Sequence, residues 1–328
     1  MTVGVGAWVV AAEEAIDGVR LDLDPGTLLI LNVILGLIMF GVALDIDPHD
    51  VTAALREPLA PVLGIVLQLV ALPLLTFLLS LVLPFAPSVL LGMILVSACP
   101  GGALSNVVAH LAGANVVLSI GMTTVSTLAA TVMTPLNLAV WGRLNPRTNE
   151  VLRAVALDPM DVFLTILVVL GLPVAAGLLV RQRHPAFAAR WVPRLKKVSA
   201  SFLGLFILAA LLANLDAFGV VLVPVVVAVV VHNLSALTLG YLGGGVFHVG
   251  QRERRAIAIE VGMQNTALAL TLSVTFFEGL GGITLVAALW GLWHLVSGAA
   301  LAWYWGRHAP AEPTASPPVS SRWRSWPR

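Results

Sequence analysis

The sequence predicts an all-α polytopic membrane protein with about nine transmembrane helices, and three observations carry that expectation. Of 328 residues, 59% are hydrophobic and 11% are charged, against roughly 25% charged in an ordinary soluble domain. The apolar residues fall in continuous runs such as Leu28 to Leu44 and Val220 to Val231, and a helix needs about 20 mostly apolar residues to cross a bilayer. These runs do not alternate in polarity, as the strands of a membrane barrel must. A net charge of +1 argues against a nucleic-acid partner. Cys99 is the single cysteine, so no intrachain disulfide can form and the redox compartment cannot be read.

In chain order, residues 1–26 hold an apolar stretch, Val3 to Ala12, that is too short to span and runs into Glu13, Glu14 and Asp17. It lacks the basic start of a signal peptide and reads as an interfacial lead-in, with an imperfect extra helix as the alternative. Hydropathy then places helices near 27–45, 59–83, 89–111, 115–141, 160–180, 198–213, 219–243, 256–278 and 284–305. They make up one membrane domain over 27–305. Residues 306–328 are rich in Pro, Ser and Arg and are expected to be a disordered cytoplasmic tail.

Lys and Arg concentrate on cytoplasmic loops. One face of the predicted topology collects Arg56, the basic residues from Arg181 to Lys197, Arg252, Arg254, Arg255, Arg307 and the three arginines of the tail. The other holds only Arg20, Arg143, Arg147 and Arg153. In a cell membrane this puts the N-terminus outside and the C-terminus in the cytoplasm. The basic residues themselves read as a solvated, topology-setting face. Contact of the Trp-Arg tail with anionic headgroups is the alternative for Trp323, Arg324 and Trp326.

Polar groups at bilayer depth are costly and mark cavities or transport paths. The third helix contains Cys99-Pro100-Gly101-Gly102 followed by Ser105-Asn106. That run has weak helical propensity and one missing backbone donor, so a break is expected; the alternative is a kink filled by neighbouring helices. The eighth helix contains Glu260-Val261-Gly262-Met263-Gln264-Asn265. At ~1.5 Å per residue, Gln264 lies about 14 Å beyond Arg255, near the midplane. A buried Glu260 with no basic neighbour in these helices is either protonated or beside a bound cation. The third and eighth helices are five positions apart in the order, so they cross in opposite directions, as inverted repeats require.

Other polar residues fit the same centre. Ser119 and Thr123 share a face of the fourth helix, although hydroxyls in a span can bond back to their own helix. Gln68 precedes Pro73 in the second helix and serves either the site or interhelical packing. His232, Asn233 and His294 read as packing residues. No Cys/His group has zinc spacing. Ser105 and His110 lie off-face from one another, and no nucleophile-elbow pattern is present. Enzyme chemistry therefore has no visible constellation.

Four strings, LGLIMFGVAL (Leu35 to Leu44), ACPGGALSN (Ala98 to Asn106), MTTVSTLAATVMTP (Met122 to Pro135) and VGMQN (Val261 to Asn265), resemble the bile acid:sodium symporter family in content, order and spacing. The similarity runs from about Thr27 to Trp305. What the resemblance implies is a fold of two inverted repeats, a core and a panel domain, and two crossing broken helices. It implies two co-transported sodium ions. The first would be held by Ser105, Asn106, Ser119, Thr123 and Glu260. The second would be held by the side chains of Gln68, Glu260 and Gln264 with the carbonyls of Val261 and Met263. Oxygen ligands of this kind suit a hard cation. Substrate would lie near Ala103, Asn106 and Asn265. Where relatives often carry a small polar residue after Pro-Gly-Gly, this chain has Ala103 and then Leu104. Some relatives also have an additional first helix where this chain has the short lead-in.

The function expected from this reading is sodium-coupled symport of a small organic anion such as a bile-acid-like, pantoate-like or 2-oxo-acid solute. A proton-coupled or efflux carrier of similar fold is the alternative, because Glu260 alone could relay protons. A channel or a non-transporting receptor would not require two opposed broken helices around one acidic residue. Membrane lipid is the expected surrounding partner, and oligomeric state does not follow from the sequence.

Overall fold

A computed structural model describes residues 16, 25–46, 58–154, 159–213, 218–277 and 279–308. The lead-in, apart from Ile16, and the tail from 309 onward lie outside the described residues. Twelve helices follow in order: α1 Pro25–Asp45, α2 Leu59–Val82, α3 Pro87–Ala98, α4 Ala103–Leu111, α5 Val116–Leu144, α6 Pro146–Ala154, α7 Pro159–Arg183, α8 Pro185–Ala213, α9 Phe218–Val246, α10 Gln251–Gly262, α11 Thr266–Phe277 and α12 Gly281–Arg307. No strand occurs among the described residues, only one isolated bridge. With α3/α4 and α10/α11 each counted as one interrupted span and α6 as a short surface helix, nine candidate membrane passages result among the described residues.

Four continuous helices, α2, α5, α12 and the Leu222–Val246 part of α9, are long and apolar enough to cross a bilayer. One face of α2 shows how they meet lipid. Val62, Val66, Val70, Leu74 and Leu78 recur every four residues and are all exposed, while Gln68 and Thr76 on the opposite face are fully buried. An apolar stripe turned outward and a polar one turned inward is the reverse of a soluble helix, as a hydrocarbon solvent requires. Helices approach closely where side chains are absent. A Cβ on Gly92 of α3 would lie 3.0 Å from the Ile283 Cα of α12, and one on Gly240 of α9 would lie 2.7 Å from the Ala258 Cα of α10.

Helix α1 packs mainly against α7 and α8, while α2 to α5 and α9 to α12 form a second, larger cluster. The loops agree with alternating passage. At one end Asn115 N–H donates to the Arg252 carbonyl at 3.0 Å and the Asn115 amide to Glu253 at 2.9 Å. At the other, Arg147 donates to the carbonyls of Leu83 and Phe85.

Three differences from the sequence reading have physical reasons. Helix α8 starts at Pro185, well before the expected 198, because the charged stretch Arg190 to Lys197 extends the helix instead of forming a loop. Residues 146–154 form α6, whose polar composition hid it from hydropathy. Arg255 is not a solvated charge: it is 4% exposed, and its guanidinium donates to the carbonyls of Ala112 and Trp305 at 3.0 Å and of His308 at 2.6 Å. A cation bonded to carbonyls that close α4 and α12 complements the negative ends of those helices.

Candidate functional site: the crossing of two interrupted helices

The interruptions expected at 99–102 and around 262–265 are where α3 passes into α4 and α10 into α11. The two unwound segments meet and pair antiparallel. Gly102 N–H donates to the Met263 carbonyl at 2.8 Å, and Asn265 N–H to the Pro100 carbonyl at 2.9 Å, around the Gly101–Gln264 bridge. Each break thus supplies backbone partners that the other lacks. Further side chains cap the helix ends that stop here. Thr134 of α5 donates to the Ala98 carbonyl at 2.7 Å. Asn233 of α9 donates to the Gly262 carbonyl at 2.8 Å and accepts from Trp293 of α12. Asn265 Oδ1 accepts from Leu268 N–H at the start of α11.

All five residues expected at a first ion site come together. Ser119 donates toward Asn106 Oδ1 at 2.9 Å and Glu260 Oε2 at 3.2 Å. Thr123 donates toward Glu260 Oε1 at 2.7 Å and Asn106 Oδ1 at 3.3 Å. Ser105 gives its proton to the Gly102 carbonyl at 2.7 Å and stands 3.4 Å from the Thr123 hydroxyl. Three side-chain oxygens, Asn106 Oδ1 and both of Glu260, therefore compete for the two hydroxyl protons of Ser119 and Thr123. The Glu260 side chain is fully buried, and among the described residues no Lys, Arg or His pairs with it. A buried, unpaired carboxylate is costly, and this oxygen-rich surplus suits a hard cation.

The second set is also assembled, but it is knit largely to itself. Gln68 Nε2 donates to Gln264 Oε1 at 2.8 Å and to the Cys99 carbonyl at 3.1 Å. Gln264 Nε2 donates to the Val261 carbonyl at 2.6 Å, and the Met263 carbonyl accepts from Gly102. Gln68 Oε1 is buried without a donor among the described residues, so one oxygen of this set has no hydrogen-bond partner there.

Of the residues expected near substrate, Asn106 and Asn265 flank the crossing, each half-buried, and their Nδ2 groups donate to nothing among the described residues. Ala103 opens α4, and its side chain lies outside the described set. His232 bonds Thr76 at 2.7 Å and meets the Trp290 ring edge-on, a packing role. Sequence reasoning did not single out Thr134 or Asn137, and it gave Asn233 only a packing role. The available signal was that each is a polar residue in an otherwise apolar span.

An all-α membrane protein whose two interrupted, oppositely directed helices cross at a buried carboxylate has the architecture of an ion-coupled secondary transporter. The sequence pattern of the Sodium Bile acid symporter family matches residues 32–221, and the chain belongs to that family. It is 32% identical over 280 residues to the uncharacterized sodium-dependent transporter YocS of Bacillus subtilis, covering 84% of this chain and 83% of that one. It is 30% identical to the probable sodium/metabolite cotransporter BASS1, chloroplastic, of Arabidopsis thaliana, over 84% of this chain and 66% of the relative. It is 29% identical to a sodium-dependent organic anion transporter of Rattus norvegicus, over 81% of this chain and 70% of the relative.

Glycine 101 tests whether the crossing serves ion binding. A Cβ there would overlap Glu260 Oε1, and the flexible carboxylate, not the backbone, would give way. Gly101→Ala should weaken sodium binding about tenfold or more, on the 1–3 kcal/mol scale of overpacking, while the protein still folds. The measurement is the rise in melting temperature on adding sodium in place of potassium. A wild-type rise would show that Glu260 takes no part.

Proposed function

We propose that the protein is a symporter that carries a small organic anion across the cell membrane together with two sodium ions. The observation that carries this reading is the buried Glu260 with its surplus of oxygens and, among the described residues, no cation to neutralise it. Sodium at Ser105, Asn106, Ser119, Thr123 and Glu260 would supply the missing charge. A second ion would use Gln68, Glu260, Gln264 and the carbonyls of Val261 and Met263, after the internal bonds of that set rearrange. The amino ends of α4 and α11 face the crossing, where their partial positive charge and the free amides of Asn106 and Asn265 favour a carboxylate. Leu104, half-buried beside them, adds an apolar wall. In this reading the larger helix cluster is the core and α1, α7 and α8 are the panel against which it moves. The relatives named as sodium-dependent transporters support the coupling ion.

Ligands that bind the native state raise its apparent stability. A bile acid, pantoate and pyruvate should be screened by thermal shift in sodium and in potassium. At least one is expected to stabilise the protein in sodium alone, and Asn265→Ala should weaken that anion about tenfold, the order of one lost hydrogen bond to a charged group, while sodium binding changes little. Equal stabilisation in the two salts would favour the proton-coupled or efflux carrier instead. Equal loss of anion and sodium would make Asn265 structural.

The orientation follows from the basic residues. A tag after Arg328 should be reached only from the cytoplasm, and one before Met1 only from outside, when intact cells are probed with an impermeant reagent. Both tags on one side would mean that residues 1–26 contain a further span.

A further inference from the structure

We propose that Asn137 is a positioning residue for the second ion site, holding α2 in the register that turns Gln68 toward Gln264. The inference rests on the reading of Gln68 and Gln264 as ion ligands. Helix α2 is not regular: it widens into a single π turn over Leu67–Ala71, and Pro73 follows at once. Proline has no N–H to return to the residue four places earlier, which here is Leu69. That carbonyl instead receives a donor from another helix, Asn137 Nδ2 of α5, at 2.9 Å.

Asn137 is itself held. Trp141, one turn further along α5, donates its indole N–H to Asn137 Oδ1 at 3.0 Å, and its ring lies 5.3 Å from that of Phe77 on α2. So α5 grips α2 on both sides of Pro73, with Asn137 buried at the nearer contact. A π turn contains one residue more than a regular turn, and each residue rotates a helix by about 100°. Closing the turn would swing the part of α2 that carries Gln68 by about that angle relative to the part beyond Pro73. The bonds from Gln68 to Gln264 and to the Cys99 carbonyl would be lost. π turns inside helices often mark functional sites, and this one sets the direction of a side chain with a buried, unpartnered oxygen.

A merely structural Asn137 would affect stability and leave ion affinity alone. The two roles separate in a double-mutant cycle, with binding of radiolabelled sodium to the purified full-length protein as the readout. Asn137→Leu should weaken the second sodium ion about tenfold, the scale of a lost buried hydrogen bond, and leave the first nearly unchanged. In the Gln68→Ala background, which lacks the second ion, adding Asn137→Leu should change nothing further. Wild-type affinity for both ions in Asn137→Leu, or an additional loss at the first ion in the double variant, would overturn the proposal. Should Asn137→Leu fail to fold, Trp141→Phe keeps an aromatic ring facing Phe77 and removes the indole donor to Asn137. It should weaken the second ion by about threefold, again the scale of one hydrogen bond, and wild-type affinity there would overturn the proposal. Two ions still bound by Gln68→Ala itself would remove the second-site reading, and this inference with it.

Discussion

Two backbone hydrogen bonds, Gly102 N–H to the Met263 carbonyl and Asn265 N–H to the Pro100 carbonyl, are the constraint on which the rest of the structure depends. An interrupted helix inside a bilayer leaves polar groups that water cannot reach, each costing several kcal/mol when unpaired. Neither break could persist alone in hydrocarbon. Placed against one another they satisfy each other's groups, provided that the chains come within strand-pairing distance. Gly101 and Gly102 permit that approach, because a Cβ on either would enter the space of Glu260 or of the Gln264 carbonyl.

From that contact the functional arrangement follows. The crossing fixes the end of α10, and so places the Glu260 carboxylate against Ser119 and Thr123 of α5. It sets the start of α4, and so brings Asn106 to the same oxygens. The intact helices act as braces: α5 through Thr134, α9 through Asn233 and α2 through Gln68 each reach into the crossing. The amide and hydroxyl groups at bilayer depth thus divide into those that hold backbone in place and those that leave oxygen lone pairs unfilled. The second group is where the proposed function places its ions.

Much of this was legible in the sequence, because polar residues in an apolar span are conspicuous. Pro100-Gly101-Gly102 announced a break, and Glu260 to Asn265 announced its partner. Ser119 and Thr123 were found through their shared helical face. The grouping of these residues into two expected sodium sites came from the family resemblance and not from spacing. What stayed hidden depends on contacts between distant segments. Nothing local to Asn137 says that it meets the Leu69 carbonyl, and the π turn leaves no pattern in a run as uniformly apolar as α2. Arg255 looked like its neighbours Arg252 and Arg254, since burial against the ends of α4 and α12 is a property of packing. Charge likewise misplaced the start of α8, because a helix that emerges from the bilayer loses its hydropathy signal while keeping its backbone bonds.

If the crossing exists to hold sodium at a buried carboxylate, removing that carboxylate should remove the binding and spare the fold. Sodium titrated into wild-type protein and into Glu260→Ala, followed by calorimetry with potassium as control, measures this directly. The account predicts a saturable sodium-specific heat in the wild type and none in Glu260→Ala, since both proposed ion sites share that residue. A variant that folds and still binds sodium as the wild type does would contradict it.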